Sequence, residues 1–203
     1  MQVLKKSFLI VFIVLLLDQT LKFWIKTTMT LGQEFNVAGN WFIIHFTENN
    51  GMAFGMQFAG DYGKLFLSVF RIIAVLVIIY ILYRVTRHKI SNGFIISLSL
   101  ILAGAIGNIL DSAYYGLIFS DSTFLDVARF LPQEGGYSSF LHGKVVDMLY
   151  FPILRGTYPS WFPFWSGEEF IFFRPVFNIA DSAISTGVVL LLFFQHPQSR
   201  REE

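Results

Sequence analysis

Ile101-Leu102-Ala103-Gly104-Ala105-Ile106-Gly107-Asn108-Ile109-Leu110-Asp111 is an apolar helical stretch that closes on an amide and a carboxylate. Its apolar character reaches back to Gly93 and on to Leu117, enough to cross a bilayer at about 20 residues per span. Carboxylates inside such spans are costly and mark functional sites by default. Two more aspartates stand in comparable settings. Asp181 lies in Phe177-Asn178-Ile179-Ala180-Asp181, near the start of another apolar run, and Asp147 lies in Val145-Val146-Asp147-Met148, in the segment between them. If topology puts all three at one depth on one side, they form a single site.

The chain has 203 residues, of which 54% are hydrophobic, and a mean hydropathy of +0.58. The apolar residues come in four blocks long enough to span, at about 7–26, 65–84, 93–117 and 176–195. The first begins like a secretory signal, with Lys5 and Lys6 ahead of Ser7–Leu17. No small-residue cleavage site follows and the pattern runs past Asp18 to Ile25, so it reads as a retained helix. The expected fold is an all-α membrane protein: one membrane domain over 1–203 with four transmembrane helices, a small extracytoplasmic β-sheet and an outer interfacial segment.

Charge placement orients it. Lys5 and Lys6 precede the first span; Arg84, Arg87, His88 and Lys89 fill the loop between the second and third; Arg200 and Arg201 close the chain. With four spans these clusters share a side, which the positive-inside rule makes cytoplasmic, along with both termini. Segments 27–64 and 118–175 then lie outside. The net charge of +1 carries no nucleic-acid footprint. The absence of cysteine excludes disulfides and thiol chemistry, and the four scattered histidines lack the spacing of a zinc site.

Within 33–60, Asn40-Trp41-Phe42-Ile43-Ile44-His45-Phe46-Thr47, flanked by Gly39-Asn40 and Asn49-Asn50-Gly51, predicts strands and a turn. Segment 118–175, with Gly135-Gly136 and Trp161-Phe162-Pro163-Phe164-Trp165, reads as irregular structure with short helices against the lipid headgroups, and 118–142 as an insertion.

Helix arithmetic sets two of the carboxylates level. Asp111 falls about 18 residues into the third span and Asp181 about 5 residues into the fourth, roughly 8 Å deep from the outer face. Asp147 can reach them, although its position does not force it to. In both N-x-x-D motifs the i, i+3 spacing places amide and carboxylate on one helical face. Gly104, Ala105 and Gly107 allow close approach of another helix. Asp18 has Lys22 at i+4, which favours a structural ion pair. For Asp111 the plainer reading, a buried carboxylate that orients its neighbours, is preferred over direct chemistry. Asp147 and Asp181 have no base nearby in sequence; Arg155 and Arg174 are possible partners in space. Two close carboxylates share a proton, so one can activate water while the other polarises a carbonyl, as in aspartic proteases. Ser182 and Ser185 near Asp181 lack a companion Lys or His, and metal binding by the three aspartates lacks a phosphate motif beside it.

At these residues the chain resembles the lipoprotein signal peptidases, signal peptidase II. Asp18-Gln19-x-x-Lys22, Asn49-Asn50-Gly51-Met52-Ala53-Phe54-Gly55, Gly104 to Asp111, Val145-Val146-Asp147-Met148 and Phe177-Asn178-Ile179-Ala180-Asp181-Ser182 look like that family's boxes, in order. The resemblance implies an aspartic endopeptidase of the bacterial inner membrane that cuts diacylglyceryl-modified prolipoproteins before the lipidated cysteine. It implies Asp147 and Asp181 as the catalytic pair, with Asn49, Gly51, Asn108, Asp111, Asn178, Asp18 and Lys22 shaping the site. It also implies inhibition by globomycin-type cyclic peptides. No cofactor or metal is expected; the partners expected are the prolipoprotein and membrane lipid, and the chain is expected to be monomeric. Two features depart from the family pattern. Ser112 stands where the family has Arg, whose contacts are either supplied by Arg129 or Lys144 or absent, and the segment between Asp111 and Asp147 is long. The rival readings are a proton-coupled transporter, whose carboxylates would form a path across the membrane, and a non-enzymatic scaffold that binds lipidated peptides.

Overall fold

The computed structural model describes residues 2–50, 60–85 and 91–194. Gly51 to Gly55 of that box, and the basic residues at 87–89 and 200–201, lie outside the described residues. Helix α1 runs Gln2–Thr28, unbroken through Asp18 as its apolar pattern predicts. Strands β1 (Glu34–Ala38) and β2 (Phe42–Asn49) follow as an antiparallel hairpin, turned at Gly39 with φ +51°. Helix α2 is Gly60–Val85 and α3 is Asn92–Leu110, the latter started by Ser91, whose Oγ accepts from the Phe94 N–H at 3.2 Å. The helix widens into a π turn at Asp111–Tyr115 and ends with a short α4, Gly116–Ile118.

The second half differs from the sequence reading. Segment 118–175 holds strands: β3 (Val145–Tyr150), β4 (Leu154–Thr157) and β5 (Glu169–Phe172), with β6 (Val176–Phe177) directly after. Apart from the end of α4, no helix occurs in it among the described residues. Asp147 therefore sits on a strand, in a four-stranded sheet of order β1-β2-β3-β6, while β4 and β5 form a separate two-stranded ribbon. The β-rich composition of Val145-Val146-Asp147-Met148-Leu149-Tyr150 was the available signal. Helix α5 closes the described chain at Ile179–Phe194.

Val3–Thr28, Gly63–Val85 and Asn92–Ile118 are long and apolar enough to cross a membrane; Ile179–Phe194 is apolar but shorter. The outward faces of α1, α2 and α5 are apolar, with Phe8 71%, Phe66 70% and Phe193 76% exposed, which is the surface expected of lipid-facing helices.

The tightest helix pair is α3 with α5. A Cβ on Gly104 would stand 2.2 Å from the Ala180 carbonyl oxygen, and one on Gly107 2.9 Å from Asp18 Oδ2. The small residues of the third span thus bring three helices together at the level of the carboxylates. A core of Ile25, Phe46, Tyr115, Phe119, Val146 and Met148 sits at that end of the bundle. Because side chains alternate along a strand, Val146 and Met148 enter this core while Asp147 faces the opposite way, toward Asn178.

The insertion folds back onto the π turn. Gly143 N–H donates to Ser112 O and Ser138 N–H to Gly116 O, both at 2.8 Å. It is also pinned by charge. Buried Lys26 pairs with Glu48 and donates to Ser122 Oγ at 2.9 Å, and Lys144 joins Glu48 at 3.3 Å to Asp121 at 2.8 Å.

Candidate active site

The first layer is set by α1. Asp18, Lys22 and Lys26 recur at i, i+4 and i+8, and all three are buried. The Lys22 ammonium has three N–H groups and three acceptors: Asp18 Oδ2 at 2.9 Å, Asp111 Oδ2 at 2.8 Å and Asn108 Oδ1 at 3.2 Å. Asp18 in turn accepts the Ala180 N–H at 2.9 Å, which ties α1 to the first turn of α5. Gln19 donates to Asp111 Oδ1 at 2.9 Å and accepts from the Tyr115 hydroxyl at 3.3 Å. The Asp18–Lys22 ion pair read from the sequence is present.

Asp111 is fully buried at the start of the π turn. Such widened turns gather at functional sites because they re-aim side chains. Its Oδ2 accepts the backbone N–H of Val146 at 3.2 Å. Donors from Lys22, Gln19 and Val146 link Asp111 to α1 and β3.

The second layer contains the two remaining carboxylates. Asn178 Nδ2 donates to Asp147 Oδ1 at 2.7 Å, and Asn108 Nδ2 donates to Asp181 Oδ1 at 2.7 Å. Asn49 also hydrogen-bonds Asp147, and burial first, then the neighbouring Asp181 charge, pushes the Asp147 carboxyl up to about 7. A bulge in β2 between Ile44 and Thr47, where β2 has one residue more than β3, lies opposite Met148, next to the Thr47–Asp147 pair.

The i, i+3 reading fits Asn108 and Asp111, which both meet the Lys22 ammonium, but not Asn178 and Asp181. Asn108 bonds not its own Asp111 but Asp181 on the facing helix. Asn178 is not helical: its Oδ1 accepts the Asp181 N–H at 2.8 Å, so it caps α5 with Asp181 at the third helical position. The capping pattern at the head of an apolar run was the legible signal. Ser182 Oγ donates back to the Asn178 carbonyl at 2.9 Å, so it serves the helix rather than a nucleophilic pair.

Cations are placed differently from expectation. Arg155 and Arg174 are exposed and make no ion pair among the described residues. Arg129 is exposed, and Lys144 is engaged with Glu48 and Asp121. Ser112 is buried, its Oγ donating to the Asn108 carbonyl at 3.0 Å. Beside Lys22, which pairs with Asp111 and acts on Asp147, a second cation bears on the carboxylates: Arg71 on α2, which interacts electrostatically with Asp181, Asp111 and Asp147. Sequence reasoning passed over it, although an arginine inside the apolar block 65–84 is itself a functional-site signal. Lys26 was missed for a similar reason.

Two layers of charge thus meet where α1, α3 and α5 converge, under a small antiparallel sheet. This is a membrane-enzyme fold. A solved bacterial membrane enzyme is similar over 96% of this chain and 95% of its own, at 25% identity and a TM-score of 0.63. Residues 10–196 match the family model described as Signal peptidase (SPase) II, and the chain belongs to that family. The lipoprotein signal peptidase of Porphyromonas gingivalis is 53% identical over 90% of this chain and 79% of its own length. That of Amoebophilus asiaticus is 37% identical over 92% and 76%, and that of Staphylococcus aureus 29% over 92% and 85%.

Proposed function

We propose that this member of the signal peptidase II family removes signal peptides from prolipoproteins by aspartic chemistry at Asp147 and Asp181. The observation that carries the assignment is the pairing of each carboxylate with its own asparagine, Asn178 for Asp147 and Asn108 for Asp181. Asp147, the member pushed up by burial and its neighbour's charge, holds the shared proton and donates to the scissile carbonyl. Asp181 takes a proton from the attacking water, which adds to that carbonyl carbon. The tetrahedral intermediate then collapses with proton transfer to the leaving amine. Asp18, Lys22 and Asp111 are positioning residues behind the pair, Asn49 bonds Asp147, and Gly51 is assigned to the site from its motif alone.

The finer reading places four spans in one membrane domain in the bacterial inner membrane. Both termini are cytoplasmic and the sheet and carboxylates lie at the outer face. There the scissile bond of an exported signal peptide arrives, before a diacylglyceryl-modified cysteine. Globomycin-type cyclic peptides would occupy the same cleft, and the enzyme would act as a monomer. The supporting pattern is the gathering of Asp18, Asp111, Asp147 and Asp181 at one end of the bundle, which suits hydrolysis at a membrane face better than ion passage.

The test is gel-shift cleavage of a diacylglyceryl-modified prolipoprotein by purified protein in detergent without added metal. Wild type should cleave, while Asp147→Asn and Asp181→Asn should each lose at least about 1000-fold in kcat with folding retained. Substantial turnover by either variant would sink the pair, and no cleavage by folded wild type would return weight to binding or transport.

A further inference from the structure

The β4–β5 ribbon is unlike the rest of the fold. Its register pairs Leu154 with Phe172 and Gly156 with Phe170, and these four share one face; Arg155, Thr157, Glu169 and Ile171 take the other. Neither strand packs substantially on any other element. An isolated two-stranded ribbon is marginal in water, yet this one leaves Leu154 59% and Phe172 58% exposed.

Its tip is more apolar still. Residues 158–167, Tyr-Pro-Ser-Trp-Phe-Pro-Phe-Trp-Ser-Gly, contain no charge. The tip is ordered from within: Tyr158 and Phe162 stack at 5.1 Å, Phe162 and Trp165 at 5.8 Å, and Tyr158 N–H donates to Glu168 O at 2.9 Å. With the inner rings so occupied, Trp161 is 76% and Phe164 79% exposed. The tip is thus a preformed apolar wedge whose outward rings touch only their chain neighbours, Trp161 on Phe162 at 5.9 Å and Phe164 on Trp165 at 6.1 Å.

The ribbon's root is continuous with a membrane helix. Tyr150 pairs with Val176 at the root, and α5 begins at Ile179. Phe151 contacts Phe177 at 5.7 Å and stacks on Phe42 at 4.7 Å, and Phe173 meets Phe177 at 5.9 Å. An aromatic belt therefore runs from Phe177, two residues before α5, to Phe173 at the foot of the ribbon, and aromatic residues favour the membrane–water interface. The ribbon's outer edges leave backbone N–H and C=O groups unpaired, which confines it to interfacial depth.

We propose that the β4–β5 ribbon is a lipid-surface anchor, seating Trp161 and Phe164 in the headgroup–acyl boundary of the bilayer that holds α5. This rests on the membrane placement proposed above. The anchor fixes the height of β6, Asn178 and Asp181 against the bilayer surface. Arg155 and Arg174 are offset by Glu168 and Glu169, so attachment depends on apolar burial and not on anionic lipid.

The chain has no cysteine, so single-cysteine variants carry unique labels. Full-length Phe164→Cys, Val77→Cys on the apolar face of α2 and Glu134→Cys on the exposed insertion would be labelled with an environment-sensitive fluorophore. Each would be reconstituted in phosphatidylcholine vesicles with and without phosphatidylglycerol, containing lipids with a spin-label quencher near the headgroup or deep in the chain. Phe164→Cys should be quenched by the shallow quencher, at no less than about half the extent shown by Val77→Cys with the deep one. Glu134→Cys should be unaffected, and phosphatidylglycerol should change nothing. Quenching at Val77 without quenching at Phe164 overturns the anchor and leaves the membrane placement standing; no quenching at either overturns both. A blue-shifted but unquenched label at Phe164 overturns the lipid anchor in favour of a protein partner.

Discussion

Asn108 and Asn178 are hydrogen-bonded to each other, Asn178 Nδ2 lying 3.2 Å from Asn108 Oδ1, and each holds one aspartate of the pair. The Lys22 ammonium also donates to Asn108 Oδ1. Two donors on that oxygen leave the Asn108 amide nitrogen to face Asp181, so the amide's orientation is fixed by the network and not by its own helix. A relay therefore runs from a lysine in the first helix, through an asparagine in the third, to an aspartate in the fifth. That connection explains why a chain with few intramembrane charges places so many of them at one level.

Asn178 has two separable roles, and substitution separates them. Serine retains an oxygen able to cap α5 but loses the amide that reaches Asp147. Asn178→Ser should unfold near the wild-type temperature and lose roughly 10-fold or more in kcat. Asn178→Ala should lose the cap as well, at about 1 kcal/mol. Thermal unfolding in detergent and prolipoprotein cleavage check the two readouts; equal stability loss in both variants would mean the cap is not made by this side chain.

Lys22 neutralises Asp18 and Asp111 together. Removing it leaves two buried carboxylates without their shared cation, so Lys22→Met should cost on the order of 3–5 kcal/mol. Adding Asp111→Asn removes one of the stranded charges and should recover part of that loss. The measurement is a thermal double-mutant cycle; additive losses would show that Lys22 and Asp111 do not interact energetically.

Much of this site was legible before the fold was known, for physical reasons. Asp111 and Asp181 interrupt apolar spans, and span arithmetic levels them because helices rise uniformly. The glycines at 104 and 107 announced close helix contact. Asp147 was harder, because a strand's position is set by pairing partners distant in sequence; only the β2–β3 register brings it over the helices. The cross-pairing of Asn108 with Asp181 was hidden for the same reason, since i, i+3 spacing describes one helix and not the helix facing it. The ribbon at 154–172 was read as irregular because its alternation is short and broken by a proline-rich tip.

The raised Asp147 carboxyl has a consequence for pH. Its ordinary value is 3.8, and in the folded protein it lies at about 7. Below about 3.8 folded and unfolded chains both hold the proton and the group imposes no penalty. Between these values the unfolded chain releases it while the folded chain keeps it, so stability falls as pH rises. Above about 7 the loss is complete, on the order of 4 kcal/mol. Asp147→Asn abolishes this dependence. The unfolding temperature of the variant should rise relative to wild type from pH 4 to pH 7 and run parallel above it, and wild-type kcat should decline above about pH 7 as the donor proton is lost. A constant gap between the two unfolding curves would contradict the shift.

Arg71 should control where that decline falls. Its charge interacts first with Asp181, then with Asp111 and Asp147, and a cation favours the ionised form of any carboxylate near it. Arg71→Gln removes that influence, so the pair holds its shared proton more tightly and the alkaline limb of the pH–kcat profile moves upward, by roughly one pH unit. Arg71→Lys retains the charge and should leave the limb near its wild-type position even if turnover drops because the planar guanidinium geometry is gone. A purely structural role would lower activity in both variants without moving the limb. The pH profiles of wild type, Arg71→Gln and Arg71→Lys, taken on one substrate in one detergent, separate these outcomes; an unmoved limb in Arg71→Gln would remove Arg71 from the electrostatics of the pair.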